Sequence, residues 1–180
     1  MRHLLPIERD FRGGVLPAAH RAQIGVQRAA DALIVELDAP YFGDPAPAGA
    51  AGPTDRLWEY EVAELFIADA GDRYLEIELS PHGHHLVLEL HGVRRVVRAQ
   101  LPIAYTVQID RVQLPAHPEL LGRYRGEARI PLEYLPAAPT RGNAYLIHGV
   151  AANRCYCAHN PPLGETPDFH RLESFVTLCL

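Results

Sequence analysis

The chain has no lysine: all 17 of its basic residues are arginine. Alongside heavy alanine and proline usage, this reads as the drift of a GC-rich genome rather than a functional device. Positive charge is also outnumbered, with 22 acidic residues giving a net charge of −5. The clustered base that nucleic acid requires is therefore not expected. Cysteines number three, two of them in Cys155-Tyr156-Cys157. An odd count at that spacing excludes a disulfide framework, and a reducing compartment is the simpler inference. No apolar window reaches the length of a membrane span, and Met1-Arg2-His3-Leu4-Leu5-Pro6 lacks the apolar stretch of a secretory signal. A cytoplasmic location, with neither membrane nor nucleic acid as partner, is the expectation. Zinc-protease spacings, phosphate loops, nucleophile elbows and dinucleotide fingerprints are all missing, so no catalytic residue, metal or cofactor is assigned.

A hydrophobic fraction of 48% in 180 residues suffices for one good core, and a single domain over residues 1–180 is expected. No helix-period stretch of useful length occurs. Short alternating runs punctuated by Gly and Pro dominate instead, which argues an all-β antiparallel sandwich with one or two short helical turns. Residues 1–20 read as irregular. Strands are expected near 21–27 and 33–38, then a long Pro/Ala/Gly loop near 43–56. A continuous strand is predicted from Leu57 to Ile67, followed by a hairpin over residues 73–91. Its aliphatic residues Leu75, Ile77, Leu79, Leu86, Leu88 and Leu90 are assigned to one face and its glutamates to a solvated one. Further strands are expected near 93–101, 103–114, 124–130 (an edge or outward-facing strand), 143–149, 154–159 and 175–180. A helical turn is expected between Pro131 and Pro136, and a loop over 161–167.

The run Val62-Ala63-Glu64-Leu65-Phe66-Ile67 is apolar at both parities, so it predicts a central strand covered on both faces. A desolvated carboxylate there is costly unless paired or lining a pocket. Glu64 either answers a basic neighbour or faces a cavity together with Trp58; the pattern leaves both open. The chain holds ten histidines. His82, His84 and His85 share a turn, and His148 and His170 lie at probable strand ends. Cys155, Cys157 and His159 share a strand face, but with no fourth ligand and no CxxC knuckle, buried apolar thiols explain it better than a metal does. The pairs Glu59/Glu61 and Glu76/Glu78 read equally as acid–base couples or as a solvated face.

Two stretches, Glu61-Val62-Ala63-Glu64-Leu65-Phe66-Ile67-Ala68-Asp69 and Tyr74-Leu75-Glu76-Ile77-Glu78-Leu79-Ser80-Pro81-His82-Gly83, with Glu127 to Leu135, resemble carbohydrate-binding module family 9 and the related DOMON-like sandwiches. Through Leu57-Trp58-Glu59-Tyr60-Glu61-Val62, Ile147-His148-Gly149 and Pro167-Asp168-Phe169-His170 the chain is also similar to an uncharacterised protein family, present in vertebrates, with this fold. The resemblance implies a stand-alone sandwich, jelly-roll-like or immunoglobulin-like, that holds a small saccharide or polyol without catalysis. It places Trp58 as the stacking aromatic, Glu64 as hydroxyl acceptor, and His85, Asp168 and His170 as further ligand contacts. His82, His148 and Phe169 are secondary candidates. The module uses two tryptophans where this chain has one, so Phe169 or His170 would supply the second wall. Two alternatives are kept: a metal-assisted enzyme built on His82, His85, His148 and His170, and a protein-interaction module.

Overall fold

The computed structural model describes residues 2–162 and 164–180. Met1 and Leu163 lie outside the described residues, so the predicted 161–167 loop is described on either side of Leu163. The strands, in chain order, are β1 (Arg2–Ile7), β2 (Arg9–Asp10), β3 (Ala22–Arg28), β4 (Ala32–Tyr41), β5 (Val62–Ala68), β6 (Arg73–Leu79) and β7 (His85–His91). They continue as β8 (Val96–Arg98), β9 (Ala104–Arg111), β10 (Gly122–Pro131), β11 (Arg141–His148), β12 (Cys155–Ala158) and β13 (Val176–Thr177). All helical structure among the described residues is single 3-10 turns. One sheet runs β1-β3-β4-β10-β9 and the other β2-β12-β11-β5-β6-β7-β8, with β13 beside β11. Every strand pair is antiparallel. The protein is an all-β antiparallel sandwich.

Alternation builds the space between the sheets. Leu33, Val35, Leu37 and Ala39 of β4 point inward with Tyr124, Ala128 and Ile130 of β10. They meet Ala63, Leu65, Ile67, Leu75, Ile77, Leu79 and Val87 of the second sheet. The outer face of the first sheet is a ladder of charge, with Arg123 and Arg125 on Asp38 and Arg129 on Asp31. The second sheet has no such solvated centre. Val62, Phe66, Leu86, Leu88, Leu90, Tyr145 and Ile147 on its far face form another apolar cluster, closed over by Leu57, Phe169 and Phe175. All seven residues of β5 are buried, as its two apolar parities require.

Six expectations are corrected. The first segment is not irregular: β1 pairs along its whole length with β3, and Pro6 is tolerated because β1 is an edge strand. The predicted strand from Leu57 is a 3-10 turn over Leu57–Glu59, and β5 begins only at Val62. The segment near 124–130 is no edge, since β10 lies between β4 and β9. The predicted 93–101 strand shrinks to Val96–Arg98 after a tight turn, and the closing strand to two residues. The hairpin faces are also mixed. Its register sets Leu79 opposite His85, Ile77 opposite Val87, and Glu76 opposite Leu88. The β7 leucines therefore share a face with the glutamates, and that face is covered.

A candidate ligand pocket on the outer face of the second sheet

The floor of this pocket follows from register. Glu64 on β5 lies opposite Glu78 on β6 on one side and Tyr145 on β11 on the other. One row along, Phe66 lies opposite Glu76, and Glu76 opposite Leu88. Three carboxyl groups are thus gathered on neighbouring positions of a sheet face that is otherwise aromatic and aliphatic. All three are buried, Glu78 completely. The 43–56 loop and the 3-10 turn at Leu57 carry the chain over this face. Leu57 plugs into the apolar cluster while Trp58 stays 40% exposed.

Together these elements enclose a pocket of about 330 Å³, lined by Trp58, Glu64, Phe66, Glu76, Leu88, Leu90, Arg94, Ile147, Tyr156, Phe169 and His170, among others. Trp58 and Glu64 therefore open onto one hollow, although the indole reaches it from a turn rather than from the strand. Phe169 is held by stacking on Tyr145, with ring centroids 3.8 Å apart and planes 6° apart. A wider depression of about 590 Å³ on the first sheet is lined by Arg2, Glu36, Asp38 and Arg125. Those charges are already paired with one another, which makes it the poorer receptor.

The hydrogen-bond pattern at the rim favours one tautomer of His170. The backbone N–H of Arg94 donates to the Tyr74 hydroxyl at 3.0 Å, and that hydroxyl lies 2.7 Å from His170 Nδ1. With its oxygen already accepting from Arg94, Tyr74 leaves no hydroxyl proton unpaired by giving it to Nδ1. The imidazole is then neutral with its hydrogen on Nε2. Burial first, and Arg94 second, hold its pKa down to about 4, consistent with that assignment. Nε2 faces Glu76 Oε2 at 3.9 Å, too far for a direct hydrogen bond. Asp168 braces the same corner, accepting from Arg94 at 2.9 Å and from the His170 backbone N–H at 3.2 Å.

Burial favours the protonated form of all three carboxyl groups. Burial lifts Glu76 to about 7. It lifts Glu64 and Glu78 well above the usual range, with Glu76 adding to the first and Glu64 to the second. Glu76 and Glu78 share a side-chain hydrogen bond when one of them is protonated. Apart from each other, Glu76 Oε2 and both oxygens of Glu78 have no hydrogen-bond partner among the described residues. A buried polar atom without a partner costs roughly 1–3 kcal/mol, so its persistence needs an explanation.

The remaining expected contacts lie elsewhere. His85 pairs across from Leu79, on the face toward the first sheet, with its ring edge-on to Tyr105 at 6.4 Å. It does not line the pocket, because a one-residue step along a strand reverses the face. His82 touches the Asp44 carbonyl at 3.3 Å and Tyr41 edge-on, and His148 stacks on Phe42 at 3.5 Å. None of His82, His85, His148 and His170 belongs to the metal-competent group found among the described residues. Glu59 pairs with Arg56 outside, whereas Glu61 is buried and accepts the amides of Phe42 and Asp44, so those two share no face. Cys155 is exposed and Cys157 buried. Glu76, Arg94 and Tyr156 are pocket residues that sequence reasoning missed. The signal was available in Glu76, but only the strand register tells a covered acidic face from a wet one.

Comparison with known proteins places the chain. No family model matches it. The UPF0462 protein C4orf33 homolog of Danio rerio is 37% identical, over 92% of this chain and 84% of its own length. The Rattus norvegicus homolog is 38% identical over 92% and 83%, and the Homo sapiens protein 38% identical over 79% and 71%. The chain belongs to the UPF0462 family. Among solved structures, this UPF0462 chain superposes on a “putative carbohydrate-binding protein” from Bacteroides uniformis ATCC 8492. The TM-score is 0.71 over 97% of this chain and 84% of that one, at 15% identity. At that identity the likeness speaks to the fold of this UPF0462 protein alone.

Proposed function

We propose that the protein binds a small saccharide or related polyol in the pocket beneath Trp58, as a stand-alone module of the carbohydrate-binding family 9 or DOMON-like kind. One observation carries the reading. Glu76 Oε2 is buried with no partner beyond the neighbouring Glu78 carboxyl, and Glu76 helps form the floor of a hollow with a half-exposed indole at its lip. A ring with an apolar C–H side and hydroxyl edges matches both surfaces. The indole packs against the C–H side, and the hydroxyls satisfy Glu76, Glu64 and the Nε2 hydrogen of His170. Phe169 or His170 would supply the second wall for which the module uses a tryptophan, and stacking on Tyr145 presets the plane of Phe169. At about 330 Å³ the hollow is at the small end of ligand pockets, which favours a short ligand over a polymer. The fold shared with the Bacteroides protein supports the same class of ligand.

Trp58 is the sole tryptophan, so its emission reports on the pocket without ambiguity. A panel of neutral mono- and disaccharides and polyols should contain a member that shifts this emission and raises Tm by mass action. For that ligand, Trp58→Ala and Glu76→Gln should each weaken binding by about tenfold or more. A panel that moves neither emission nor Tm overturns the reading.

A further inference from the structure

Away from the pocket, two segments 97 residues apart bring His20, His117 and Glu119 together. His20 Nε2 lies 2.6 Å from Glu119 Oε1, and His117 Nδ1 lies 3.2 Å from the same oxygen. The three ligand atoms all lie within 4.8 Å of one another. We propose that these residues form a site for a divalent metal of the zinc class, independent of the saccharide pocket.

The backbone holds the ligands in place before any ion arrives. His20 ends a 3-10 turn whose amide donates to Pro17, and its ring sits edge-on to Phe42 at 5.6 Å and to His117 at 5.2 Å. The loop bearing His117 and Glu119 is tied by hydrogen bonds from His117 to Leu114, from Leu120 to His117 and from Leu121 to Tyr41. Two imidazole nitrogens thus converge on one carboxylate oxygen. Neighbouring donors of a tetrahedral zinc ion at about 2.0–2.2 Å stand roughly 3.3 Å apart. The observed spacings need only side-chain rotation, which these partly exposed groups are free to make.

Donor chemistry selects the metal. Two neutral nitrogens and one carboxylate suit zinc, cobalt or iron(II), while calcium and magnesium prefer all-oxygen sets. Three protein ligands leave one coordination position open, as in zinc sites that bind water or substrate. His20 and Glu119 also line a neighbouring cleft of about 640 Å³, with Asp44 and His148 on its wall. That cleft gives a fourth ligand room to enter.

Chelator-treated full-length protein should bind one Zn²⁺ in calorimetry, and Co²⁺ should give the visible bands of a four-coordinate ion. His117→Ala, on an exposed loop, and the isosteric Glu119→Gln should each weaken zinc by about tenfold or more. His91→Ala, which removes a surface histidine paired with Asp72, should leave it unchanged. Ca²⁺ should not compete. The absence of one-to-one zinc binding overturns the site. So does affinity that survives both His117→Ala and Glu119→Gln, which would place zinc on the thiols Cys155, Cys157 or Cys179.

Discussion

Tyr74 has one hydroxyl proton and two neighbours whose demands it must reconcile, the Arg94 amide and His170 Nδ1. Removing the hydroxyl leaves a part-buried acceptor and a part-buried donor without partners. Tyr74→Phe should therefore lower stability by roughly 1–3 kcal/mol. It should also release the tautomer of His170. In the native protein, ¹⁵N shifts of the ring should report a hydrogen on Nε2 and a neutral imidazole down to about pH 4; in the variant the two tautomers should mix. An unchanged ¹⁵N pattern would show that Tyr74 does not set the proton. The same corner marks the limit of what residue types disclose. Pro167-Asp168-Phe169-His170 was visible as a motif, but Asp168 serves it by holding Arg94 and the His170 amide, and Arg94 itself carried no local signal.

Among the elements, the hairpin β6–β7 was placed to within a residue or two because strict alternation and a Pro-Gly turn define it. Its faces were not, because alternation gives each strand two faces and leaves their pairing to the turn. The Ser80 amide donates the closing hydrogen bond to the His84 carbonyl, and that length sets the leucines of β7 beside the glutamates of β6. The Ile147-His148-Gly149 motif is likewise legible as a strand end but not as a constraint. Gly149 has φ +82°, and an added Cβ would come within 2.2 Å of the Asn153 carbonyl oxygen. Its amide also donates to Asp44, tying the 43–56 loop to β11. Gly149→Ala must move backbone against backbone while holding a left-handed conformation. It should cost at least about 2 kcal/mol, or roughly 4–8 °C in Tm for a chain of this size. A thermal melt within 1–2 °C of the native protein would mean the turn relaxes freely.

For the molecule as a whole, the buried acids oppose in pH the part-buried histidines His148 and His170. The buried His84 and His85, also lowered by burial, act in the same direction as those histidines. Glu61 and Glu76 titrate at about 7 when folded, both because of burial, and Glu64 and Glu78 lie higher than the usual range. The same groups in the unfolded chain titrate near 4.5. Between those values the folded state holds protons that the unfolded state has lost, so stability rises as pH falls through 7. Burial holds His148 and His170 at about 4 against an ordinary 6.5. Their contribution is whole above 6.5 and fades as pH drops toward 4. From pH 8.5 to 6.5 only the carboxyl effect acts, and Tm should climb. From 6.5 to 4.5 the two effects cancel in part. Below 4.5 the remaining histidine effect and the protonation of Asp168 and Glu119, both held below their ordinary values, act together and Tm should fall. Glu76→Gln, neutral at every pH, should flatten the alkaline limb by a measurable share. Scanning calorimetry at constant ionic strength decides the matter. A Tm as high at pH 8.5 as at 6.5 would mean that the acids of the pocket floor ionise at no cost, and a floor so well compensated would no longer need a ligand's hydroxyls.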